Sequence, residues 1–253
     1  MILVGIGASA GGLEALAELV AEIPERSGLA FVIVQHLSPD HPSIMHELLG
    51  SHTALQVRKI EHGMAVAPDT IFVIPSGQAL EIMGGRFRLR PRDETAVVRT
   101  PIDGFLTSLA RAYGEMSSCV ILSGTGTDGT MGLKAIKAAG GIALVQEAAS
   151  ARFPGMPDSA AATGVVDARL APGDVPANLI SMLNHRDEIR NGHRKDHVFS
   201  TIESRLPDVI DLLNTQDGQD FSNYKPGTLV RRIERRMMLQ LQTDIDGYLS
   251  LLR

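Results

Sequence analysis

An α/β fold is predicted: a doubly wound, mostly parallel sheet with an antiparallel edge ribbon, plus a small C-terminal all-α segment. Three features of the 253-residue chain lead there. Strand-like and helix-like runs alternate up to about residue 183. The strand-like runs are apolar along their whole length, as strands covered on both faces of a parallel sheet are. Beyond residue 200 only helical periodicity remains.

Taken in order, the first strand is expected at Ile2–Ile6, followed by the loop Gly7–Gly12 and a helix over Leu13–Ile23. The second, Ala30–Val34, runs into Gln35-His36 and a helix over Ser43–Leu49. Three short strands follow, at Thr70–Ile74, Leu80–Met83 and Phe87–Arg90. Gly84-Gly85 between the last two is a hairpin signal, so this region is expected to form the antiparallel ribbon. A helix over Ile102–Tyr113 leads to a strand at Cys119–Leu122 and the loop Ser123–Gly129. The remaining elements are a helix at Met131–Ala139, a strand at Ile142–Val145, a small-residue helix at Asp158–Thr163, a strand at Gly164–Val166 and a helix at Val175–Leu183.

Residues 1–183 are therefore read as one domain. Residues 184–199 carry His185, Arg186, Asp187, Glu188, Arg190, His193, Arg194, Lys195, Asp196 and His197, and read as a polar linker or an extended polar helix. Residues 200–253 read as a helical unit, with helices expected at Asp208–Leu213, Thr228–Leu241 and Ile245–Leu252 and N-caps at Thr228 and Asp244.

Hydrophobic content of 44% and charged content of 21% fit an ordinary globular protein large enough to need no metal or disulfide staple. The single Cys119 has no partner, which excludes a disulfide framework and suits a reducing compartment. A net charge of −5 argues against general nucleic-acid binding. No apolar run approaches the roughly 18–20 residues of a membrane span, and the chain opens into a strand without signal-peptide layout. A cytoplasmic location is the expectation.

Three loops, each after an apolar strand, carry the members of a hydrolytic triad: Ser9, His36 and Asp128. In an open parallel sheet, sites form outside the carboxyl ends of the strands, where these residues can meet. Gly7-Ala8-Ser9-Ala10-Gly11 matches a G-x-S-x-G nucleophile turn, with helix N-terminal amides available to an oxyanion. The same loop reads Gly5-x-Gly7-x-x-Ala10, a dinucleotide-binding fingerprint. Gln35-His36 stands where such a fold places an acid for the ribose hydroxyls, which favours the hydrolase. His36, His41 and His46 recur at a spacing of five that stacks on no helical face, and Pro39 and Pro42 interrupt them, so no metal is expected. Asp128 suits either capping of the helix it precedes or orientation of His36. The loop Arg152–Pro157 suits either the wall of a cleft or core packing.

Gly7–Gly12, Val34-Gln35-His36, Leu122–Gly129 and Gly155-Met156-Pro157 together, in order and spacing, resemble the catalytic domain of the CheB-type chemotaxis receptor methylesterases. The resemblance covers roughly residues 2–183. It implies Ser9 as nucleophile, His36 as base and Asp128 as its orienting acid, with no cofactor. It makes Ala10, Thr125 and Met156 candidates for the oxyanion site or substrate cleft. It implies hydrolysis of glutamate methyl esters on chemoreceptors, and in many members deamidation of receptor glutamines. Thr125 and Ala10 stand where the family often has Met and Thr, and the family's receiver domain is not expected in this chain.

The tail, from Asp220-Phe221-Ser222 through Arg231-Arg232-Ile233-x-Arg235-Arg236-Met237, resembles the N-terminal helical subdomain of CheR-type receptor methyltransferases over about residues 200–253. On a helix, Arg231, Arg232, Arg235 and Arg236 share one side, and Leu229, Ile233, Met237 and Leu241 another. The basic side is either a solvated face or a contact for an acidic receptor segment. S-adenosylmethionine is expected only with the methyltransferase core that follows this subdomain in the family. The sequence is accordingly read as a fragment of a methylesterase–methyltransferase fusion. Rival readings are a non-catalytic receptor-docking signalling module and a dinucleotide-binding protein.

Overall fold

A computed structural model describes residues 1–35, 45–91, 100–190, 201–217, 226–240, 242 and 244–252. The chain divides into two compact units, Met1–Ala177 and Asn178–Arg253. Among the described residues, no helix is long and apolar enough to cross a membrane.

Unit 1 is built on a seven-stranded sheet. Its strands are β1 (Leu3–Ala8), β2 (Ala30–Gln35), β3 (Gln56–Lys59), β4 (Thr70–Val73), β7 (Ser117–Ile121), β8 (Ile142–Gln146) and β9 (Ala168–Leu170), in the order β3-β4-β2-β1-β7-β8-β9. All the pairings are parallel, with Leu3 opposite Ala30 and Ser117, and Gly7 opposite Val34 and Ile121. The chain enters at the centre, winds outward through β2, then returns to lay β7 against the other side of β1. That reversal makes the β1/β7 boundary the topological switch point, where ligand sites form in open α/β sheets.

Helix α3 (Pro101–Tyr113) crosses one face of β1 at close range. A methyl group on Gly5 would come 2.5 Å from Leu106 Cδ2, and one on Gly7 would come 2.5 Å from Ile102 Cγ2. These two glycines therefore serve helix-on-strand packing and lie inside the strand. In a dinucleotide fingerprint they would form the turn beyond it, and the sequence match to that motif loses its physical basis here. The core on this face gathers Val32, Val34, Phe72, Phe105, Leu106, Cys119, Ile121, Leu133 and Met156, all buried. Each such large side chain contributes about 1.5–3 kcal/mol when fully buried. Helix α1 (Gly12–Ala21) begins on the opposite face, where a methyl on Gly12 would lie 2.7 Å from Ala8 Cβ.

Helices α2 (Met45–Gly50), α4 (Thr130–Ala138), α5 (Gly155–Ala161) and α6 (Val175–Arg190) complete the series up to residue 190. Lys137 of α4 pairs with the buried Asp167 carboxylate, which also accepts the Ala143 N–H at 2.7 Å and so ties α4 to β8. β5 (Gln78–Met83) and β6 (Arg86–Pro91) form the expected antiparallel hairpin, turning at Gly84 and Gly85 with φ of 58° and 70°. The ribbon is a separate two-stranded sheet, held to α3 by Ile82 N–H donating to Ser108 Oγ at 3.2 Å.

Several expectations are corrected. Thr70–Val73 is an inner parallel strand between β2 and β3, and β3 itself, polar at all but Val57, carries no strand signal in the sequence. The last strand is Ala168–Leu170, while Gly164 with φ 70° turns the chain just before it. The polar stretch is helix from residue 184 to Arg190, one of its two expected forms, and residues 191–199 lie outside the described residues.

Unit 2 contains a short helical segment at 201–204, then α7 (Leu206–Asp217), α8 (Pro226–Leu239) and α9 (Ile245–Leu252). Ile202, Val209, Val230, Ile233, Met237, Ile245, Tyr248 and Leu249 form its core. Asp244 caps α9 by accepting the Gly247 N–H at 2.8 Å, as its sequence position predicts. Thr228 is no cap, because α8 already begins at Pro226.

Candidate active site

Ser9 follows β1 directly and is half-buried. Its N–H donates to Ser123 O at 2.9 Å, extending the β1–β7 ladder one rung beyond both strands. Its carbonyl accepts the Gly12 N–H at 3.0 Å. Gly11, with φ 67°, is the left-handed residue that turns the loop into α1. The strained serine of an α/β-hydrolase elbow is not found: among the described residues Asp69 is the one non-glycine with positive φ. The serine is thus presented on a relaxed strand extension.

A set of polar side chains at strand ends fixes this loop. Ser123, just past β7, is 1% exposed. Its hydroxyl donates to Ala10 O at 2.9 Å and accepts the Phe153 N–H at 3.0 Å, so one side chain joins three loops. Gln146, at the end of β8, accepts the Ser123 N–H at 2.8 Å. Gln35, at the end of β2, reaches the Ser9 carbonyl through Nε2 at 3.5 Å. Its Oε1 is buried with no hydrogen-bond partner among the described residues.

Sequence reasoning gives Ser123 and Gln146 no role of their own, and Gln35 enters it only against the dinucleotide reading and within a matching segment. The signal was present: a polar residue ending an otherwise apolar parallel strand has its side chain at the carboxyl edge of the sheet, where sites form.

Asp128 is 5% exposed and holds three backbone donors: Ile102 N–H at 3.0 Å on Oδ2, and Asp103 and Gly129 N–H at 2.9 Å on Oδ1. It caps α3, from a loop 25 residues away, and not the helix it precedes. A carboxylate offers about four acceptor positions, so it can take these three donors and still orient an imidazole. His36 lies outside the described residues.

Of the other candidates, Ala10 and Thr125 are exposed at the loop surfaces. Met156 is not on a cleft wall. It is fully buried, and its N–H donates to Gly124 O at 2.9 Å. A methyl on Gly124 would lie 2.2 Å from Met156 Sδ and 2.8 Å from Ser9 Cβ. Met156 therefore packs beneath the loop that flanks Ser9, and only glycine fits between them. Phe153 is partly exposed, with the Arg152 guanidinium 5.8 Å above its ring. In unit 2, Arg232 and Arg236 are exposed, Arg235 is half-buried, and the Arg231 side chain lies outside the described set. Burial raises the pKa of Tyr248, and the Arg236 charge partly offsets this.

A serine and a supported carboxylate stand on neighbouring loops at the switch point of a doubly wound parallel sheet, which places the chain among open-sheet α/β proteins with a site at the carboxyl ends of the strands. The CheB methylesterase family model matches residues 4–179, and the all-alpha domain of CheR methyltransferase matches residues 201–253. This chain belongs to the CheB methylesterase family, with a CheR all-alpha domain following. It is 33% identical over 193 residues to the protein-glutamate methylesterase/protein-glutamine glutaminase of group 3 operon of Rhizobium meliloti, covering 74% of this chain and 53% of that protein. It is 33% identical over 183 residues to protein-glutamate methylesterase FrzG of Myxococcus xanthus, covering 72% and 55%. An uncharacterized 104.1 kDa protein of Rhodobacter capsulatus is 37% identical over 227 residues, covering 82% of this chain and 24% of that one. The chain thus spans between about a quarter and about half the length of these relatives. The catalytic domain of Thermotoga maritima CheB methylesterase superposes with a TM-score of 0.65 at 30% identity, covering 71% of this chain and 97% of that domain.

Proposed function

We propose that this chain hydrolyses glutamate methyl esters on chemoreceptor cytoplasmic segments, in the cytoplasm, with Ser9 as nucleophile, His36 as general base and Asp128 as the acid that orients His36. The observation that carries the reading is the joining of the Ser9 and Asp128 loops across the switch point, through Ser9 N–H to Ser123 O at 2.9 Å. Ser9 Oγ attacks the ester carbonyl while His36 accepts its proton. The tetrahedral oxyanion is stabilised by amides at the start of α1, near Ala10, where the helix dipole is positive. Collapse expels methanol, protonated by His36. Water then repeats the sequence on the acyl-enzyme and leaves the glutamate carboxylate. The names of the Rhizobium meliloti relative and others support deamidation of glutamine at the same centre, with ammonia in place of methanol.

In this reading residues 1–183 form the esterase, 184–199 a connector and 200–253 a receptor-facing helical unit. Arg231, Arg232, Arg235 and Arg236 of α8 would face the acidic methylation region of the receptor. Incubation of the chain with a methylated receptor fragment, scored by methanol release, tests the proposal. Saturable receptor binding without methanol would support the docking module instead.

A further inference from the structure

Helices α3 and α4 each lack a cap of their own. Thr100 and Gly129, at their N-cap positions, make no side-chain capping bond, and Gly129 has φ 92°. The caps are exchanged. Asp128, before α4, takes the Ile102 and Asp103 N–H groups at the start of α3. Asp103, in the first turn of α3, takes the Gly132 N–H in the first turn of α4 at 2.7 Å. The helices can approach this closely because residue 132 is glycine: a methyl there would lie 3.1 Å from Asp103 Cα and 2.5 Å from Leu106 Cβ. Two carboxylates are thereby held together against their mutual repulsion by amide donors and two helix dipoles. Asp103 is half-exposed at the edge of a groove of about 610 Å³ between α3 and the β5–β6 hairpin, beside Gly104, Thr107 and Arg111.

From this exchange we propose that Asp103 is a positioning residue for the hydrolysis, holding α4 so that the Asp128 carboxylate stays fixed. The inference rests on the reading of Asp128 as the orienting acid. Asp103 acts through its acceptor oxygen, not through its charge. An amide oxygen can therefore replace it, whereas a methyl group cannot. In the full chain, Asp103→Ala should lower kcat for methanol release at least tenfold with KM within twofold, and Asp103→Asn should restore kcat to within threefold of the parent. Amide hydrogen exchange read on the same proteins is independent of activity. Asp103→Ala should speed exchange at Gly129 and Ile102, the amides that Asp128 holds, and Asp103→Asn should not. Unchanged exchange at those amides in Asp103→Ala overturns the inference even if the parent shows no esterase activity. An Asp103→Asn variant as impaired as Asp103→Ala overturns it as well. A parent chain that releases no methanol contradicts the proposed function alone, because the exchange readout still decides the role of Asp103.

Discussion

The amide of Ser9 donates to the carbonyl of Ser123 at 2.9 Å, so the loop leaving β1 is tied to the loop leaving β7. Ser123 is then held by Gln146 from β8, and its hydroxyl holds Ala10 and Phe153. A serine far in sequence from the remaining site residues is thereby fixed by side chains at the ends of neighbouring strands.

Ser123→Ala should damage both stability and turnover. It removes the hydroxyl that joins the part-buried Ala10 carbonyl and Phe153 N–H, two hydrogen bonds at about 0.5–1.5 kcal/mol each. For a unit of this size that corresponds to a fall of roughly 2–10 °C in melting temperature. Thermal denaturation followed by circular dichroism checks the first effect, and kcat for methanol release the second. Unchanged melting and turnover would show the hydroxyl to be dispensable.

Gly7→Ala should be worse than an exposed glycine substitution such as Gly50→Ala, where no atom lies within 4 Å of the added methyl. The methyl at residue 7 meets Ile102, whose own N–H holds Asp128. Overpacking costs about 1–3 kcal/mol, and the displacement passes directly to the carboxylate. Urea denaturation and turnover measured side by side test this. Tight, saturable binding of a nicotinamide dinucleotide to the parent chain would restore the fingerprint reading of Gly5 and Gly7.

Much of the fold was legible because the strand cores are unbroken apolar runs and the hairpin carries Gly84-Gly85. β3 was missed because Gln56, Arg58 and Lys59 at the sheet edge leave no apolar pattern. Gly164–Val166 misled because two β-branched valines mimic a strand while Gly164, beyond the end of α5, turns the chain. Ser9 and Asp128 could be named from their positions after apolar strands. The role of Asp128 as the cap of α3, and the return cap from Asp103, were not legible, because partners about 25 residues apart leave no local spacing to read. Met156 matched a motif, yet its place is under Gly124 in the core, which composition cannot distinguish from a cleft.

Stability should depend on pH through Asp103. Burial raises its pKa, the Gly132 N–H opposes that rise, and the nearby Asp128 charge adds to it. The folded state therefore binds this proton more tightly than the unfolded chain does. The associated stabilisation is complete below the ordinary aspartate pKa of 3.8 and is lost as pH rises through the raised value. Asn carries no such proton, so the melting temperature of Asp103→Asn relative to the parent should climb across that window and level off above it. A difference that stays flat with pH would contradict the assignment.

The basic side of α8 should bind through charge. Replacing Arg231, Arg232, Arg235 and Arg236 by Gln should weaken binding of a receptor fragment roughly tenfold or more at low salt, taking about 0.2–1 kcal/mol per exposed pair. The loss should shrink as ionic strength rises, and hydrolysis of a small soluble ester should not change. Calorimetric titration at two salt concentrations, with an ester assay alongside, provides the check. Full affinity in the quadruple variant would reduce this face to solvated surface.

The most direct measurement of the central claim is the rate of methanol release from a methylated receptor fragment by the parent chain and by Ser9→Ala. Ser9 sits on a relaxed strand extension, and losing one half-buried hydroxyl should leave folding intact, as circular dichroism would verify. Loss of a triad nucleophile lowers turnover by on the order of 10⁶. The account predicts ready release by the parent and none above background for folded Ser9→Ala; a folded Ser9→Ala that keeps most of the parent rate would contradict it.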